Sequence, residues 1–221
     1  MIYDSKFKIN KFKKKFTSFT NLTDDSTQFI MDKSENRIMT EKENMINGKY
    51  YNPSDPDLVA DRLLAKSLCF EYNRTLFSER NAMEDIIRNL FGKTSEKFQI
   101  EPTFFCDYGY NIEIGNNFYS NHNLVILDCA KVTFGDNVII GPNCGFYTAI
   151  HPKDAKTRST FSEYAKPIEV GNNVWFGGNV TVLPGVKIGD NCVIGAGSVV
   201  TKNISSNTLS VGNPSSVIRY I

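Results

Sequence analysis

Apolar residues recur at every sixth position between Val170 and Ser205. The segment divides without remainder into the hexads VGNNVW, FGGNVT, VLPGVK, IGDNCV, IGAGSV and VTKNIS. A helix repeats its apolar face about every 3 to 4 residues and a half-buried strand about every 2, so neither explains this pattern. Short flat strands joined by corners, with three hexads in each coil, do explain it. The sequence predicts a mainly β fold, a parallel β-helix of hexapeptide repeats.

The same phase extends toward the N-terminus. Earlier hexads open at Ile114, Ser120, Ile126, Phe134 and Ile140, with a two-residue slip between the third and the fourth. Gly135 and Gly171 are two coils apart in number, yet only one coil of hexads lies between them. Residues equivalent to one coil must therefore leave the repeat, and the non-periodic stretch 151–167 is predicted to be a protruding loop.

Helical patterns precede the coil. Asp55 followed by Pro56 predicts an N-cap and a first turn, with a helix continuing to about Tyr72. A second helix is predicted from a cap at Ser78 to about Phe91, with Gly92 as its stop. Four leucines in the first helix have the spacing of a buried face: Leu58, Leu63, Leu64 and Leu68.

The open ends of a coil must be covered, because a single coil cannot bury its inward face. Helices before Ile100 and a tail after Ile204 are the segments available for this. The predicted organisation is a basic extension (1–38), a helical domain (39–100), the β-helix (101–205) and a C-terminal tail (206–221).

Composition narrows the function. The chain has 221 residues, a hydrophobic content of 41% and a net charge of +1, which gives no whole-molecule reason to expect nucleic acid as a partner. Its five cysteines lack CxxC spacing and are interpreted as reduced packing residues in a reducing compartment. No apolar run approaches the roughly 20 residues that span a bilayer. A cytoplasmic location is the expectation.

The first 20 residues differ from the rest, because lysines and phenylalanines alternate there with a single acid, Asp4. Two interpretations stay open. The segment is either a solvated tail or an address for an organelle or a membrane surface, although it has neither arginine nor a clear cleavage site.

Histidine is scarce: the chain contains only His122 and His151. A catalytic zinc site built on three histidines would need one more, so no metal is expected. His151 lies where the predicted loop leaves the coil. It is interpreted either as a surface residue or as a proton acceptor, since an imidazole can accept a proton near neutral pH.

The chain closely resembles the maltose and galactoside O-acetyltransferases. The similarity covers about residues 39–221. It includes the helical stretch 39–73 and the segments FFCDYGYNIEIGNNFY, VILDCAKVTFGDNVIIGPN, TAIHPKDA, the hexads from 167 to 204, and VGNPSSVIR. Many acyltransferases share the hexads, whereas the helical domain together with CDYGYN and the His-Pro loop is more selective.

The resemblance implies a left-handed coil, a homotrimer with active sites at subunit boundaries, and direct acetyl transfer from acetyl-CoA to a hydroxyl of a sugar or glycoside. His151 matches the family's catalytic base, and the backbone N–H of Gly178 matches the donor to the thioester oxyanion. Asn121 is assigned to the catalytic group because it matches a residue that holds the acceptor.

Two further sets follow from the same matching. The acceptor set is Asp128, Asp107, Tyr108, Glu163 and Asp55. The coenzyme A set is Trp175, Gly178, Ala196, Thr201, Lys202 and Arg219. Simpler interpretations stay open for several of them: a coil-corner residue for Asn121 and Asp128, a solvated loop carboxylate for Glu163, and an exposed aromatic for Trp175.

Three functions remain in competition. The leading one is the acetyl-CoA-dependent O-acetyltransferase for a sugar. The second keeps the mechanism and changes the acceptor to serine, an amine or a xenobiotic. The third is a non-catalytic hexapeptide assembly subunit. The match at His151, Asn121 and Trp175 argues against the third, because a scaffold has no need of a base beside a coenzyme groove.

Overall fold

Short helices followed by a coiled parallel β structure make up residues 38–221, which are the part of the chain that the computed structural model describes. This arrangement confirms the predicted fold class. The lysine- and phenylalanine-rich segment of the first 20 residues lies outside the described residues. From residue 38 onward, no helix combines the length and apolarity needed to cross a membrane.

Each coil contributes one strand to each of three sheets. Sheet 1 has the order β1 (Phe98–Ile100), β4 (Phe118–Ser120), β7 (Ile139–Ile140), β12 (Trp175–Phe176), β15 (Val193–Ile194), β17 (Thr208–Val211) and β18 (Ser216–Tyr220). Sheet 2 contains β2 (Phe104–Cys106), β5 (Leu124–Leu127), β8 (Gly145–Tyr147), β13 (Thr181–Val182) and β16 (Val199–Val200). Sheet 3 contains β3 (Ile112–Ile114), β6 (Val132–Phe134), β11 (Ile168–Val170) and β14 (Lys187–Ile188). We call the three edges corner 1–2, corner 2–3 and corner 3–1, after the sheets they join.

The interior of the coil is apolar, as the hexads predict. All six first residues and all six fifth residues of the hexads from Val170 to Ser205 are buried. Phenylalanine rings form an internal column in which Phe134 lies between Phe118 and Phe146, with ring centroids 5.1 and 4.9 Å apart. Edge-to-face pairs of this kind add stabilisation to that of area burial. Stacking of coils, rather than any single coil, therefore creates the core.

A ladder of asparagine amides runs along corner 3–1. Five residues, each with φ between 54° and 61°, pass one hydrogen bond from coil to coil at 2.9 to 3.0 Å: Asn117, Asn137, Asn173, Asn191 and Asn207. Asparagine accepts this left-handed backbone more readily than most residues. Its side chain here also bonds the neighbouring coil, so the ladder sets both the turn and the coil spacing.

Backbone N–H groups at the same corner bond to side chains of the next coil. Asp136 Oδ1 accepts from the N–H of Asn116 at 2.7 Å, and Asn172 Oδ1 accepts from that of Asp136 at 2.8 Å. Glycine allows the coils to approach this closely, since a Cβ added to Gly135 would lie 2.8 Å from the backbone carbon of Gly171.

Corner 2–3 is where the repeat is irregular. The step between inward residues across this corner is eight residues instead of six in two coils, from Cys106 to Ile114 and from Ile126 to Phe134. In the following coil the same step extends from Phe146 to Val170. The predicted slip and the predicted loop therefore fall at the same corner. The loop contains the antiparallel strands β9 (Ala149–Ile150) and β10 (Tyr164–Ala165), with the short helix α4 (Ala155–Arg158) between them.

The N-terminal helices are α1 (Glu41–Ile46), α2 (Pro56–Arg74) and α3 (Arg80–Leu90). Buried side chains of α2 and α3 share one apolar core with the first coil, as the need for a cover predicts. Asn73 completes the exposed edge of β2, because its amide accepts from the N–H of Phe104 at 2.8 Å and donates to its carbonyl at 2.9 Å. At the other end, β18 folds back antiparallel on β17.

Two local expectations for the helices are wrong. Ser78 does not cap α3, whose N-cap is Glu79 with no side-chain hydrogen bond. Leu63 is 44% exposed, because the side of α2 that faces the coil contains Leu58, Ala65 and Cys69 instead. The cap at Asp55 is confirmed, since its carboxylate accepts from the N–H groups of Asp57 and Leu58.

We expect Asn173→Ala to lower the free energy of unfolding by about 2 to 4 kcal/mol. The substitution removes two ladder bonds, and it leaves a Cβ in a left-handed backbone without the amide whose hydrogen bonds stabilise that conformation. Asn173→Gly should lower it by only about 1 to 2 kcal/mol, because glycine keeps the backbone conformation at no steric cost. Urea unfolding of both variants measures the difference. Equal losses of free energy in the alanine and glycine variants would show that the left-handed backbone has no steric cost here and that the Asn173 amide contributes only through its hydrogen bonds.

Candidate active site

Corner 2–3 gathers most of the polar residues predicted for the acceptor. Asp107 and Tyr108 follow β2, Asp128 follows β5, and the loop that begins with His151 follows β8. These three strands are neighbours in sheet 2, so their ends lie one above another. Residues far apart in sequence thus meet because the coils are stacked.

Asp128 is fully buried and bonded to the backbone. Its Oδ1 accepts from the N–H groups of Asp107 at 3.1 Å and Tyr108 at 2.9 Å, and its Oδ2 accepts from that of Asn111 at 3.4 Å. Burial raises the pKa of Asp128 to about 6, although the backbone donors act in the opposite direction. The structure therefore shows a carboxylate that shapes the corner, while its contact with the acceptor stays a prediction.

Tyr108 is also buried, and its hydroxyl is already occupied. Arg62 of α2 donates to this hydroxyl at 2.6 Å and to the carbonyl of Pro53. The Tyr108 ring packs against that of Tyr110 at 5.4 Å. The sequence analysis missed Arg62, since its partner is 46 residues away and no motif joins them.

Asp107 is the partly exposed carboxylate of this corner. The Cys129 thiol donates to its Oδ2 at 3.6 Å. Burial raises the pKa of Asp107 and also that of Cys129. Cys129, predicted as a packing residue, is indeed buried, and its contact with Asp107 is a second role that composition did not reveal.

His151 and Glu163 face each other across the base of the loop. The His151 side chain is 56% exposed, and its Nε2 lies 3.7 Å from Glu163 Oε1. The other oxygen of Glu163 accepts a hydrogen bond of 2.8 Å from the hydroxyl of Tyr51. The backbones of Tyr51 and Glu163 also exchange two hydrogen bonds, of 2.9 and 3.1 Å. The segment before α2 therefore holds the end of the loop.

A second group of predicted residues lies on sheet 1 and at corner 1–2. Trp175 is 54% exposed on the outer side of β12, in register with Ile139 and Val193. Gly178 follows the same strand. Among the described residues, no acceptor is paired with its N–H, while its carbonyl accepts from Gly197 at 2.9 Å. Asn121 follows β4, and its Oδ1 accepts from the N–H of His122 at 2.7 Å.

The remaining predicted residues are dispersed. Ala196 is exposed at corner 1–2, one coil beyond Gly178. Thr201 and Lys202 are exposed at corner 2–3, and Arg219 is exposed on β18 opposite Leu209. Asp55 Oδ1 caps α2, as predicted, and the assignment of this carboxylate to the acceptor stays a prediction.

One chain thus separates the predicted residues into two groups. His151, Glu163 and Asp107 belong to corner 2–3, whereas Asn121, Gly178 and Trp175 belong to sheet 1 and corner 1–2, with the width of sheet 2 between them. In residues 38–221, no cluster of three or more histidine, cysteine or acidic side chains is arranged to hold a metal ion.

We expect Asp128→Ala to lower the free energy of unfolding by about 2 to 4 kcal/mol, because two buried N–H groups lose their acceptor. The wild-type stability should also depend on pH. With a folded-state pKa of about 6 and an unfolded value near ~3.9, the folded state holds a proton that the unfolded state releases, so stability falls as pH rises from about 4 to 6.

Urea unfolding at several pH values checks both points. Asp128→Asn, which keeps an acceptor oxygen and cannot titrate, should lose less stability than the alanine variant and should show a smaller decrease between about pH 4 and 6, to which Asp107 still contributes. A carboxylate that serves only to bind an acceptor would leave unfolding unchanged in both variants.

Comparison with known proteins identifies the relatives of this chain. Residues 44–95 match the family model described as the maltose acetyltransferase hexapeptide capping motif, and residues 167–202 match the bacterial transferase hexapeptide model with six repeats. A Saccharomyces cerevisiae protein named "Putative acetyltransferase" is 52% identical over 180 residues, which cover 81% of this chain and 92% of the relative.

Two solved structures agree with this. A maltose O-acetyltransferase from Clostridium difficile 630 is 50% identical with a TM-score of 0.82, and the match covers 83% of this chain and 98% of the other. A galactoside acetyltransferase in complex with coenzyme A is 43% identical with a TM-score of 0.80, covering 83% and 92%. The two family models match the helices and the coil respectively, and the identity extends over most of the chain. The chain therefore belongs to the maltose O-acetyltransferase family of hexapeptide-repeat acetyltransferases.

Proposed function

We propose that this acetyltransferase moves the acetyl group of acetyl-CoA to a hydroxyl of a sugar or glycoside, with His151 as the base. The observation that carries the proposal is the pairing of an exposed imidazole with the Glu163 carboxylate, beside a partly exposed Asp107 at the same corner. The coenzyme A in the galactoside acetyltransferase structure supports the choice of donor, and the names of that protein and of the maltose O-acetyltransferase support a sugar as acceptor.

The chemistry is a direct transfer. A hydroxyl oxygen of the acceptor attacks the thioester carbonyl while the His151 imidazole takes its proton. The tetrahedral intermediate then expels the sulfur of coenzyme A, which receives that proton from the imidazolium, and the products are an acetyl ester and free coenzyme A. General base catalysis of this kind contributes about 10² to 10⁴ in rate.

The oxyanion of the intermediate needs a donor. Gly178 suits this role, because its N–H has no partner among the described residues and an added Cβ would meet only Pro142 at 3.4 Å. Loss of one such donor in a preorganised site costs roughly 3 to 4 kcal/mol of transition-state stabilisation. Asn121 lies at the same corner two coils earlier and can both donate to and accept from an acceptor hydroxyl.

Asp107 is the residue that we assign to the acceptor hydroxyls, because carboxylate oxygens accept hydrogen bonds from sugars. Asp128 and Arg62 then act indirectly, since they hold Asp107 and Tyr108 in place. The same partly buried carboxylate would also suit an ammonium group. That observation keeps an amine acceptor as the second candidate.

Coenzyme A is assigned to the exposed residues of the outer surface. Trp175 and Ala196 would line the pantetheine, Thr201 would contribute a hydroxyl, and Lys202 and Arg219 would neutralise phosphates. These residues lie on sheet 1, at corner 1–2 and at corner 2–3 of the β-helix. A groove that uses all of them would therefore need more than one copy of the chain.

We accordingly propose a homotrimer in which each site lies between two chains. One chain would supply His151 and Asp107 from corner 2–3, and its neighbour would supply Asn121, Trp175 and Gly178. The outward row of sheet 1 supports this, because Tyr119, Ile139 and Trp175 are in register and two of them are exposed large hydrophobic residues.

We expect thiol release from acetyl-CoA to depend on added sugar and to fall by about 10² or more in His151→Ala with the fold intact. A panel of sugars, amines and serine, assayed with wild type and variant and accompanied by circular dichroism, measures this. Amine-dependent release would select the second candidate. A folded protein that releases no thiol with any acceptor would indicate the assembly subunit, and full activity of the variant would show that His151 is not the base.

We expect mixtures of two inactive variants to recover activity. If the base and the groove come from different chains, co-assembly of equal amounts of His151→Ala and Trp175→Ala should produce sites with both native residues in about a quarter of cases. Assays of each variant alone, at subsaturating acetyl-CoA, give the baseline. A mixture that stays at this baseline would place the whole site within one chain.

A further inference from the structure

We infer that Tyr51, which precedes α2, is a positioning residue that tunes the catalytic base through Glu163. The inference rests on the proposed function and concerns a residue that neither the hexads nor the His-Pro loop contains. Tyr51 and Glu163 are 112 residues apart in the chain, and the fold brings their side chains to 2.8 Å.

Each oxygen of the Glu163 carboxylate faces one polar group of the described residues, and Asp107 and Cys129 are close enough to interact electrostatically with it. Oε2 accepts the hydrogen bond of the Tyr51 hydroxyl, and Oε1 lies 3.7 Å from Nε2 of His151. The Glu163 side chain is only 19% exposed. Solvent therefore competes weakly for this carboxylate, and the phenol is the strongest donor that it meets.

Tyr51 cannot easily leave this position. Its side chain is 3% exposed and packs in an apolar cluster with Met45, Leu58, Tyr108 and Ala165. Its backbone exchanges two hydrogen bonds with that of Glu163. Burial raises the pKa of Tyr51, so the phenol keeps its proton and stays a donor at every pH at which the enzyme would work.

A donor on one oxygen changes what the other oxygen can do. Donation from Tyr51 withdraws charge from the carboxylate and fixes its plane, so Oε1 faces the imidazole with a defined orientation and a moderated charge. Loss of the donor should leave a carboxylate that is freer to rotate and that stabilises an imidazolium more strongly. Tyr51 would thereby control how the carboxylate faces the base, without touching the substrate.

The test compares Tyr51→Phe, Glu163→Gln and the double variant, with Tyr50→Phe as the control. Tyr50 is the adjacent residue, 51% exposed and packed edge-to-face on Tyr164 at 5.1 Å. Phenylalanine keeps the ring of Tyr51 and its packing and removes only the hydroxyl. Thermal unfolding and circular dichroism confirm that each variant is folded.

We expect Tyr51→Phe to lower kcat about tenfold, which is the scale of effects seen when a group that orients a histidine is removed. The KM for acetyl-CoA should stay within about twofold, because the hydroxyl is buried, is bonded to Glu163 and is not part of the coenzyme A set. Tyr50→Phe should match the wild type in both constants.

The pH dependence of kcat/KM separates a positioning role from a structural one. The base must be neutral, so activity falls on the acid side. A more strongly stabilised imidazolium forms at higher pH, and the acid limb of Tyr51→Phe should therefore move to higher pH. Glu163→Gln removes the negative charge and should move that limb to lower pH. The double variant should follow Glu163→Gln, because Tyr51 acts only through the carboxylate.

Two outcomes overturn the inference while the proposed function stands. One is an active wild type whose Tyr51→Phe variant has the same kcat and the same acid limb. The other is a double variant in which the two losses of activity simply multiply. A folded wild type that transfers acetyl to no acceptor would instead overturn the proposed function, and the role of Tyr51 with it.

Discussion

Hydrogen bonding between successive coils is the constraint on which the rest of this structure depends. A single coil can neither bury its apolar residues nor pair the edges of its strands. Each coil is therefore stable only when the next coil stacks on it at a fixed spacing. The asparagine ladder at corner 3–1 and the buried phenylalanine column act on the same spacing from outside and inside. Any residue added to a coil must therefore bulge outward at a corner, because the strands themselves cannot change register.

The candidate site lies at the corner where the coils contain the most added residues. Corner 2–3 accepts the extra residues in three consecutive coils, first around Asp107, then around Asp128, and finally as the whole loop that begins at His151. These departures lengthen the backbone at this corner, where polar side chains approach one another. The buried carboxylate of Asp128 satisfies the N–H groups that the longer turn leaves without strand partners.

How much of the fold and of the candidate site could be predicted from the sequence depends on how far apart the interacting residues lie in the chain. The hexads alone predicted the sheets, the inward rows, the slip and the loop, because each is a local period or its interruption. The Asp55 cap was predicted for the same reason. The bonds from Arg62 to Tyr108, from Asn73 to Phe104 and from Tyr51 to Glu163 join residues 31 to 112 positions apart and leave no local pattern. The backbone bonds of Asp128 were not predicted either, because an acid after an apolar strand has the same appearance whether it faces a ligand or a turn.

The irregularity of corner 2–3 also bears on how this protein can change over evolutionary time. Insertions there lengthen the turn or the loop without altering the register of sheet 1, where Trp175 and its neighbours lie. The loop that carries His151 and the strand that carries Trp175 are thus separate stretches of chain, so the length and sequence of the loop can diverge in a lineage while the outer row of sheet 1 stays the same.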